Sequence, residues 1–596
     1  MFTALTVSFV LCGVAAATEL WDRNLAYRSP FVGDVKLSHN TRSIQARNIQ
    51  LAKRQITGAS AAGFTDEHYP TFYGGDFSNS PFIWNGGVNF THSVASGDPF
   101  DDSVLLWTRA APVSTAPGPD QSVPICVAFK IFDNSELSGR PVDSGDAFTS
   151  YDVDFTLKVE AKNLKPDTKY WYQFADCTNT KTVSPVGLTR TISSPNTPAN
   201  AVNGGKPLTL AVFSCSQYQN GYFNAYGFAA HNTTADLFLH LGDYIYESLG
   251  NGANIGRQTL GRELATIADY RLRLNQYRTD VSLVTAHQNA PWITVWVCVI
   301  HLRFADQSWK AGTADSNDTA VGCSFFRLEH ASQTGSLLQR QAAHLGNFQI
   351  GKLLDLTMLD TRQYDRDITD LYYNTEAINE IASVNNRSLM GTAQENWFYD
   401  TLSSSKERGA IWRIVGQQIV FTQLNEFGEF DVDAWDGYRA NRNRVLDHLY
   451  NNEISNTVIL SGDSHANWVS DLAHPNDTIH YNMTSGDGAI GVEFAGTAVT
   501  SPSSFGSGIA PTAADVISQQ LLALNTDLQW SEGSYRGFFT LTIDPNTVNA
   551  TYFAMSNISN PNLDGFASAS FIVKAGANKL TRPVAGGTVA AGVLKA

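Results

Sequence analysis

LFLHLGDYIYE, residues 237–247, is an apolar run that stops at Gly242-Asp243 and continues into two tyrosines and a glutamate. The run predicts a buried strand whose polar residues follow at its carboxyl end. A carboxylate at the tip of a rigid strand can bridge two cations, and the phenolate of Tyr246 is a ligand for a hard, highly charged ion such as ferric iron. A buried strand with an ordinary polar turn is the alternative, and this segment alone leaves both open.

Two other apolar runs end in the same way. FSCS, residues 213–216, places Cys215 at a strand end, and ILSGDSH, residues 459–465, places Asp463 and His465 at another. Taken singly, Cys215 could be a buried apolar residue or half of a disulfide, His465 a turn histidine and Asp463 a helix N-cap. Taken together, a thiolate, an imidazole, a phenolate and two carboxylates form a plausible ligand set for iron and a harder divalent ion. The three runs therefore predict a metal site.

Length and charge limit the class of protein. A chain of 596 residues is too long for one hydrophobic core, so two folded units are expected. The formal net charge of −15 argues against a nucleic-acid partner, because phosphate backbones attract basic surfaces. The best apolar candidate for a membrane span, residues 291–300, is too short, since about 20 apolar residues are needed.

The first residues and the sequons indicate secretion. Residues 1–17 combine a short apolar core with Ala15-Ala16-Ala17 and resemble a secretory signal peptide, although no basic residue precedes the core. Eight Asn-x-Ser/Thr sequons follow, and together they support a secreted glycoprotein. The predicted glycosylation sites are Asn89, Asn232, Asn317, Asn386, Asn476, Asn482, Asn549 and Asn557.

Five cysteines remain after the signal, and an odd number leaves at least one sulfur without an intramolecular partner. Cys126 and Cys177 both lie in a region of short strands, so a disulfide between them is expected.

After residues 1–17, composition and hydrophobic periodicity divide the chain into four segments and one linker. Residues 18–85 are a polar lead-in without a sustained period, which is processed or loosely ordered. Residues 86–195 contain short alternating runs about 10 residues apart, typical of an immunoglobulin-like or fibronectin-like β-sandwich. After a linker, residues 206–575 alternate strands and helices, which predicts a layered α/β domain with its site at the strand ends. Residues 576–596 form a C-terminal tail.

The quoted strand ends, with further blocks in order, resemble the PhoD-type alkaline phosphatases and phosphodiesterases, within the metallophosphoesterase superfamily that includes purple acid phosphatases. The blocks that carry the resemblance are FTHSVASGDPFDDSVLLWTRAAP, FSCSQYQNGYFNAY, HLGDYIYE, LDLTMLDTRQYDRD, IWRIVGQQIVF, DAWDGYRANR, VILSGDSHANWVSDL and GVEFAGTAVTSPS. The resemblance implies Fe³⁺ and Ca²⁺ as cofactors. It implies metal-ligand roles for Cys215, Asp243, Tyr246, Asp463 and His465.

The chain departs from the family pattern in two segments. Residues 297–303, which follow Trp296, replace an Asp-Asp-His-Glu block that supplies a carboxylate ligand and an active-site histidine, so no catalytic residue is assigned. His301, the only histidine there, has no carboxylate beside it. Residues 322–345 replace a second, arginine-containing block. Either the protein has lost part of its site, or the sequence includes translated intron.

The resemblance implies a secreted metal-dependent phosphatase that hydrolyses phosphate mono- or diesters, by attack of a metal-bound hydroxide on phosphorus. The alternative is a catalytically impaired protein that keeps the fold and binds metal or phosphate without turnover. A β-sandwich adhesion protein would leave the three strand ends unexplained. The expected partner is a phosphate ester, with no nucleic acid and no membrane span.

Overall fold

The computed structural model describes residues 23–27, 84–113, 125–264, 267–295, 346–362, 364–367, 372–474, 480–585 and 588–595. The predicted signal peptide, most of the lead-in, residues 297–303 and 322–345, and the sequons at Asn317 and Asn476 lie outside the described residues.

The N-terminal part consists of seven described strands, β1 to β7, which we call the β-domain. They are β1 Val88–Gly97, β2 Val104–Pro112, β3 Ile125–Phe132, β4 Asp143–Thr149, β5 Thr156–Ala161, β6 Lys169–Asp176 and β7 Gly187–Arg190.

The strands of the C-terminal part are β8 Leu208–Phe213, β9 Leu237–His240, β10 Trp292–Thr294, β11 Gly346–Ile350, β12 Leu354–Met358, β13 Trp412–Gln417, β14 Thr457–Ser461, β15 Asn467–Leu472, β16 Gly491–Ala495, β17 Leu528–Glu532, β18 Arg536–Ile543, β19 Thr547–Met555, β20 Gly565–Lys574 and β21 Val593–Leu594. The helices are α1 Asn224–Asn232, α2 Ile267–Tyr277, α3 Val281–Asn289, α4 Tyr372–Ile381, α5 Gly391–Glu407, α6 Arg439–Asn451 and α7 Pro511–Leu524. This alternation confirms the predicted mixed α/β fold.

Two large sheets form the centre of the described structure. One has the strand order β20-β19-β18-β8-β9-β10-β1-β2-β5, and the other has the order β11-β12-β13-β14-β16-β15-β17-β21. Strands β8, β9 and β10 run parallel, as do β12, β13, β14 and β16. Apolar side chains of both sheets, including Leu210, Leu239, Leu356, Ile414 and Val458, belong to one buried cluster. The carboxyl ends of β8, β9 and β14 therefore meet at one edge of the layered core.

The β-domain has two layers but is not a closed sandwich of its own. The four-stranded sheet β4-β3-β6-β7 faces β1, β2 and β5 across a buried cluster that includes Val94, Leu106 and Phe129. Strand β1 also pairs in parallel with β10, through Gly97 and Trp292, so one layer is continuous with the nine-stranded sheet. This pairing covers a sheet edge that would otherwise expose backbone donors and acceptors.

Both terminal segments pack on the core where they are described. Residues Leu25–Tyr27 form a 3-10 turn in which Ala26 is fully buried. Near the other end, β21 pairs antiparallel with β17. Among the described residues, no helix combines the length and the apolar character that crossing a membrane requires.

Candidate metal centre

Three strand ends bring five side chains together. Cys215 follows β8, Asp243 and Tyr246 follow β9, and Asp463 and His465 follow β14. We call these five residues the strand-end cluster. The loops after β8 and β9 are joined by backbone hydrogen bonds, since the Cys215 amide donates to the Gly242 carbonyl at 3.1 Å and the Ser216 amide to the Asp243 carbonyl at 2.8 Å.

A glycine lets the third strand end approach. A Cβ atom at Gly462 would lie 2.8 Å from the Leu241 carbonyl oxygen and 3.1 Å from that of Gln418. Both contacts are with backbone, which cannot move aside easily. Glycine at this position therefore brings the loop of Asp463 and His465 against the loop after β9.

The side chains of the strand-end cluster lie within ligand distance of one another. One donor atom from each of Cys215, Asp243, Asp463 and His465 lies within 4.8 Å of the other three. The Tyr246 hydroxyl lies 2.9 Å from Asp243 Oδ2 and 3.3 Å from His465 Nε2, and Cys215 Sγ lies 3.8 Å from Asp243 Oδ2. Atoms this close can share one or two cations.

Backbone strain is concentrated in the strand-end cluster. The φ angles are 60° at Cys215, 55° at Asp243, 54° at Asp463 and 51° at His465, all in the left-handed region. For residues other than glycine this conformation costs on the order of 1–3 kcal/mol each, and such residues concentrate at functional sites. The strain turns each side chain toward the same point at the strand ends.

Burial of like charges destabilises the anionic forms of these side chains. Burial, and then the neighbouring Asp463, raise the pKa of Asp243 to about 7. Burial raises the pKa of the Cys215 thiol and of the Tyr246 hydroxyl, and the Asp243 carboxylate adds to both shifts. A cation among these groups would reverse the effect, because it stabilises each anionic ligand.

An arginine that the sequence reasoning did not single out lies against the strand-end cluster. Arg362, just beyond β12, pairs with Asp463 and also with Asp433, whose Oδ2 lies 2.8 Å from its Nη1. Arg366 pairs with the other oxygen of Asp433. Burial lowers the pKa of Arg362, but the carboxylates of Asp463 and Asp243 outweigh it and hold the guanidinium charged. The only sequence signal was the LDTR block at a strand end.

Helix α2 supports the loops from behind. The Tyr277 hydroxyl donates to the Ser216 carbonyl at 2.6 Å and accepts from the amides of Tyr218 and Tyr246 at 3.3 Å each. Arg273, one turn earlier, donates to the Tyr246 carbonyl.

A second arginine supports the histidine. Arg536, at the start of β18, donates to the His465 carbonyl at 2.9 Å and to the Ser501 carbonyl at 2.8 Å. Its side chain is buried, so these bonds fix the loop of His465 without contact with solvent.

The other predicted site residues lie apart from the strand-end cluster. Cys126 and Cys177 are joined by a disulfide between β3 and the loop after β6, and Cys215 is the free cysteine of the described chain. The described sequon asparagines with exposed side chains are Asn89, Asn232, Asn386, Asn482 and Asn557. Asn549 is half-buried inside β19.

Comparison with known proteins gives consistent matches along the chain. The family model described as PhoD-like phosphatase matches residues 210–297 and 329–552, and that of the PhoD-like phosphatase N-terminal domain matches residues 80–193. Alkaline phosphatase D of Bacillus subtilis (strain 168) is 33% identical over 521 residues, covering 85% of this chain and 84% of the relative. A solved structure titled "Structure of PhoD" superposes with a TM-score of 0.71 at 29% identity, covering 86% of this chain and 95% of that one.

The interruption of the match, residues 298–328, falls where the sequence departs from the family pattern. The match resumes at residue 329, so the second departure, expected over residues 322–345, overlaps residues that the family model does match.

Proposed function

This chain belongs to the PhoD-like phosphatase family, and we propose that it hydrolyses phosphate mono- or diesters at the strand-end cluster with metal ions bound there. The observation that supports the proposal most is the convergence of five donor side chains on three strand ends, four of them from strained backbone positions. Burying these ionisable side chains together costs free energy of folding, and a bound ligand would compensate for that cost.

We propose Fe³⁺ and Ca²⁺ as the ions. The donor atoms of the strand-end cluster suit Fe³⁺ better than Ca²⁺. The thiol of Cys215, the phenol of Tyr246 and the imidazole of His465 suit a trivalent transition-metal ion, with Asp243 completing the set. Calcium takes six to eight oxygen ligands. Among the described residues of the cluster, only Asp243 and Asp463 offer carboxylate oxygens, so the calcium position also needs water, substrate or residues outside the described chain.

Bound cations supply Lewis-acid polarisation of the phosphoryl group and a lower pKa for an attacking water. The chain supplies orientation and charge. Arg362, fixed by Asp433 and Asp463, presents a planar guanidinium beside the cluster. Guanidinium groups bind phosphoryl oxygens, and Arg362 would donate the N–H groups that its two carboxylate partners leave. Asp243, on the loop after β9, lies within ligand distance of Cys215, Asp463 and His465 and would help to hold a bound ion there. Positioning of this kind lowers the barrier by fixing the ester in line for displacement.

The enzyme is proposed to act outside the cell. The support is the signal-like segment 1–17, the exposed sequons and the disulfide between Cys126 and Cys177, since disulfides persist in oxidising compartments. Mass spectrometry of the protein secreted by a eukaryotic host tests this. We expect an N-terminus near residue 18 and glycans on the exposed sequons, and an intracellular, unglycosylated product would contradict the proposal.

The decisive experiment uses the full chain. It should hydrolyse an aryl phosphate or an aryl phosphodiester, lose that activity on chelation, and regain it when Fe³⁺ and Ca²⁺ are returned. A protein that binds metal but turns over neither ester would support the alternative of an impaired enzyme, which family membership does not favour.

A further inference from the structure

Three residues of the lead-in, Asn24, Leu25 and Ala26, are as buried as the core. Residues 23–27, which we call the strap, precede the next described residue by 57 positions. Asn24 and Ala26 have 0% of their surface exposed and Leu25 has 6%. A loosely ordered leader, as the composition of residues 18–85 predicted, would not be buried in this way.

The Asn24 side chain has all of its polar groups satisfied by the chain. Its Nδ2 donates to the Phe148 carbonyl at 2.9 Å and to the Thr156 carbonyl at 3.0 Å. Its Oδ1 accepts from the amides of Lys158 and Ala26, each at 3.1 Å. Phe148 lies on β4 and Thr156 on β5, so one amide group joins the two layers of the β-domain. Aspartate has the same shape but no donors for the two carbonyls.

A second contact between the strap and the β-domain is made by the exposed side chain of Arg23. The Arg23 guanidinium lies 5.1 Å from the centre of the Phe129 ring, and its Nη2 donates to the Ser144 carbonyl at 3.2 Å. A Cβ atom at Gly145, on β4, would overlap this guanidinium and push the end of the Arg23 side chain aside. Glycine therefore leaves open the space that Arg23 fills, independently of the Asn24 site.

The strap shares a buried apolar cluster with the helix behind the strand-end cluster. This cluster includes Ala26, Phe148 and Val153 on the side of the β-domain and Tyr270 and Leu274 of α2. Helix α2 also holds the loops of the strand-end cluster, through Arg273 and Tyr277. The apolar cluster therefore connects the strap indirectly with the element that supports these loops.

We propose that the surface beneath the strap is a peptide-binding site whose occupant is the chain's own Arg-Asn-Leu-Ala segment, residues 23–26. The strap stays bound without covalent attachment when the chain between residues 28 and 83 is cut, and its presence stabilises α2. The site selects asparagine at position 24, a small residue at position 26 and a cation at position 23. The inference does not depend on the proposed catalytic activity.

The test uses the full chain with a recognition sequence for a specific protease inserted between residues 28 and 83. After cleavage, size-exclusion chromatography and mass spectrometry measure how fast the N-terminal fragment leaves. We expect the wild-type fragment to co-elute with the body of the protein. Asn24→Asp should release it roughly tenfold to a hundredfold faster, because two buried carbonyls lose their donors. Amide exchange in residues 267–277 should then accelerate.

Two further variants separate specific binding from general damage. Asn163→Asp makes the same charge change at an exposed position of the β-domain and should not alter retention. Gly145→Val changes the surface of β4 that contacts the strap and leaves the strap itself unchanged. Valine is compatible with a strand, and its side chain should displace Arg23. We expect the N-terminal fragment to leave faster in this variant. The proposal is overturned if the wild-type fragment dissociates on cleavage or if the Asn24→Asp fragment is retained as long as the wild-type fragment. It is also overturned if the amide exchange rate in residues 267–277 does not change when the strap is lost.

Discussion

At Asp243, burial and the facing carboxylate of Asp463 raise the pKa to about 7, although an exposed aspartate has a pKa near 3.8. A buried carboxyl group of this kind keeps its proton to a higher pH than an exposed one, and a nearby cation favours its loss. The same reasoning applies to Cys215 and Tyr246, whose pKa values are raised by burial and then by Asp243. Without a cation, the side chains of the strand-end cluster therefore disfavour one another's anionic forms. A cation bound among them would stabilise those forms.

This charge balance predicts how stability depends on pH. Because the folded pKa of Asp243 lies above its unfolded value, the contribution of this carboxyl group to the stability of the metal-free protein is fully present below about pH 4 and is lost as the pH rises through about 7. Metal binding requires the carboxylate, so it strengthens over the same interval. The difference in melting temperature between metal-loaded and chelated protein should therefore widen from pH 6 to pH 8, measured by calorimetry. A constant difference would show that Asp243 is not a ligand.

Tyr246→Phe removes a single donor oxygen from the cluster. We expect metal affinity to fall by more than about tenfold while the fold survives, because the ring still fills its buried space. Equilibrium dialysis followed by metal analysis measures the affinity. Tyr244→Phe is the matched control, since Tyr244 is equally buried but its hydroxyl faces His287 at 3.1 Å. Equal losses in the two variants would contradict a ligand role for Tyr246.

At the scale of elements, α2 shows how one helix serves two neighbours. Tyr270, Arg273 and Tyr277 face the loops of the strand-end cluster, at intervals that place them on one side of a helix. Other side chains in and just beyond α2 face the β-domain: Arg271 lies over the Tyr151 ring, Asn275 contacts His92, and Arg278 lies over the Trp107 ring. The β-domain is therefore mechanically connected to the site through α2.

Tyr277→Phe tests the support that α2 gives. The change leaves the Ser216 carbonyl and two loop amides without their shared hydroxyl, which costs about 1–3 kcal/mol in a buried setting. We expect weaker metal binding and faster amide exchange in residues 215–218 and 243–246. Tyr450→Phe, at a half-exposed position of α6, should change neither. Unchanged exchange in both loops would show that α2 packs against the site without positioning it.

At the scale of the whole molecule, the sequence predicted what depends on short stretches of chain. Apolar runs that stop at polar residues identified β8, β9 and β14 together with Cys215, Asp243 and Asp463 at their ends. Arg362 and Asp433 were missed because their proximity to Asp463 depends on how distant strands stack. Pairing of β1 with β10 joins residues almost 200 positions apart, and no local pattern encodes it.

The lead-in also shows a limit of prediction from the sequence, because the burial of the strap was not expected. Composition described residues 18–85 as a whole, and a five-residue strap has neither a hydrophobic period nor a motif that could be recognised. Its burial follows from a receiving surface on β4 and β5 that forms only in the folded chain.

The most direct test of the account measures bound metal per chain and kcat/KM for an aryl phosphate ester in Asp243→Asn and Asp400→Asn side by side. Asp400 is exposed on α5 and takes the same substitution away from the cluster. We expect Asp400→Asn to match wild type, and Asp243→Asn to lose metal together with more than about a hundredfold of kcat/KM. Full activity or full metal content in Asp243→Asn would contradict the placement of the catalytic metal centre at these strand ends.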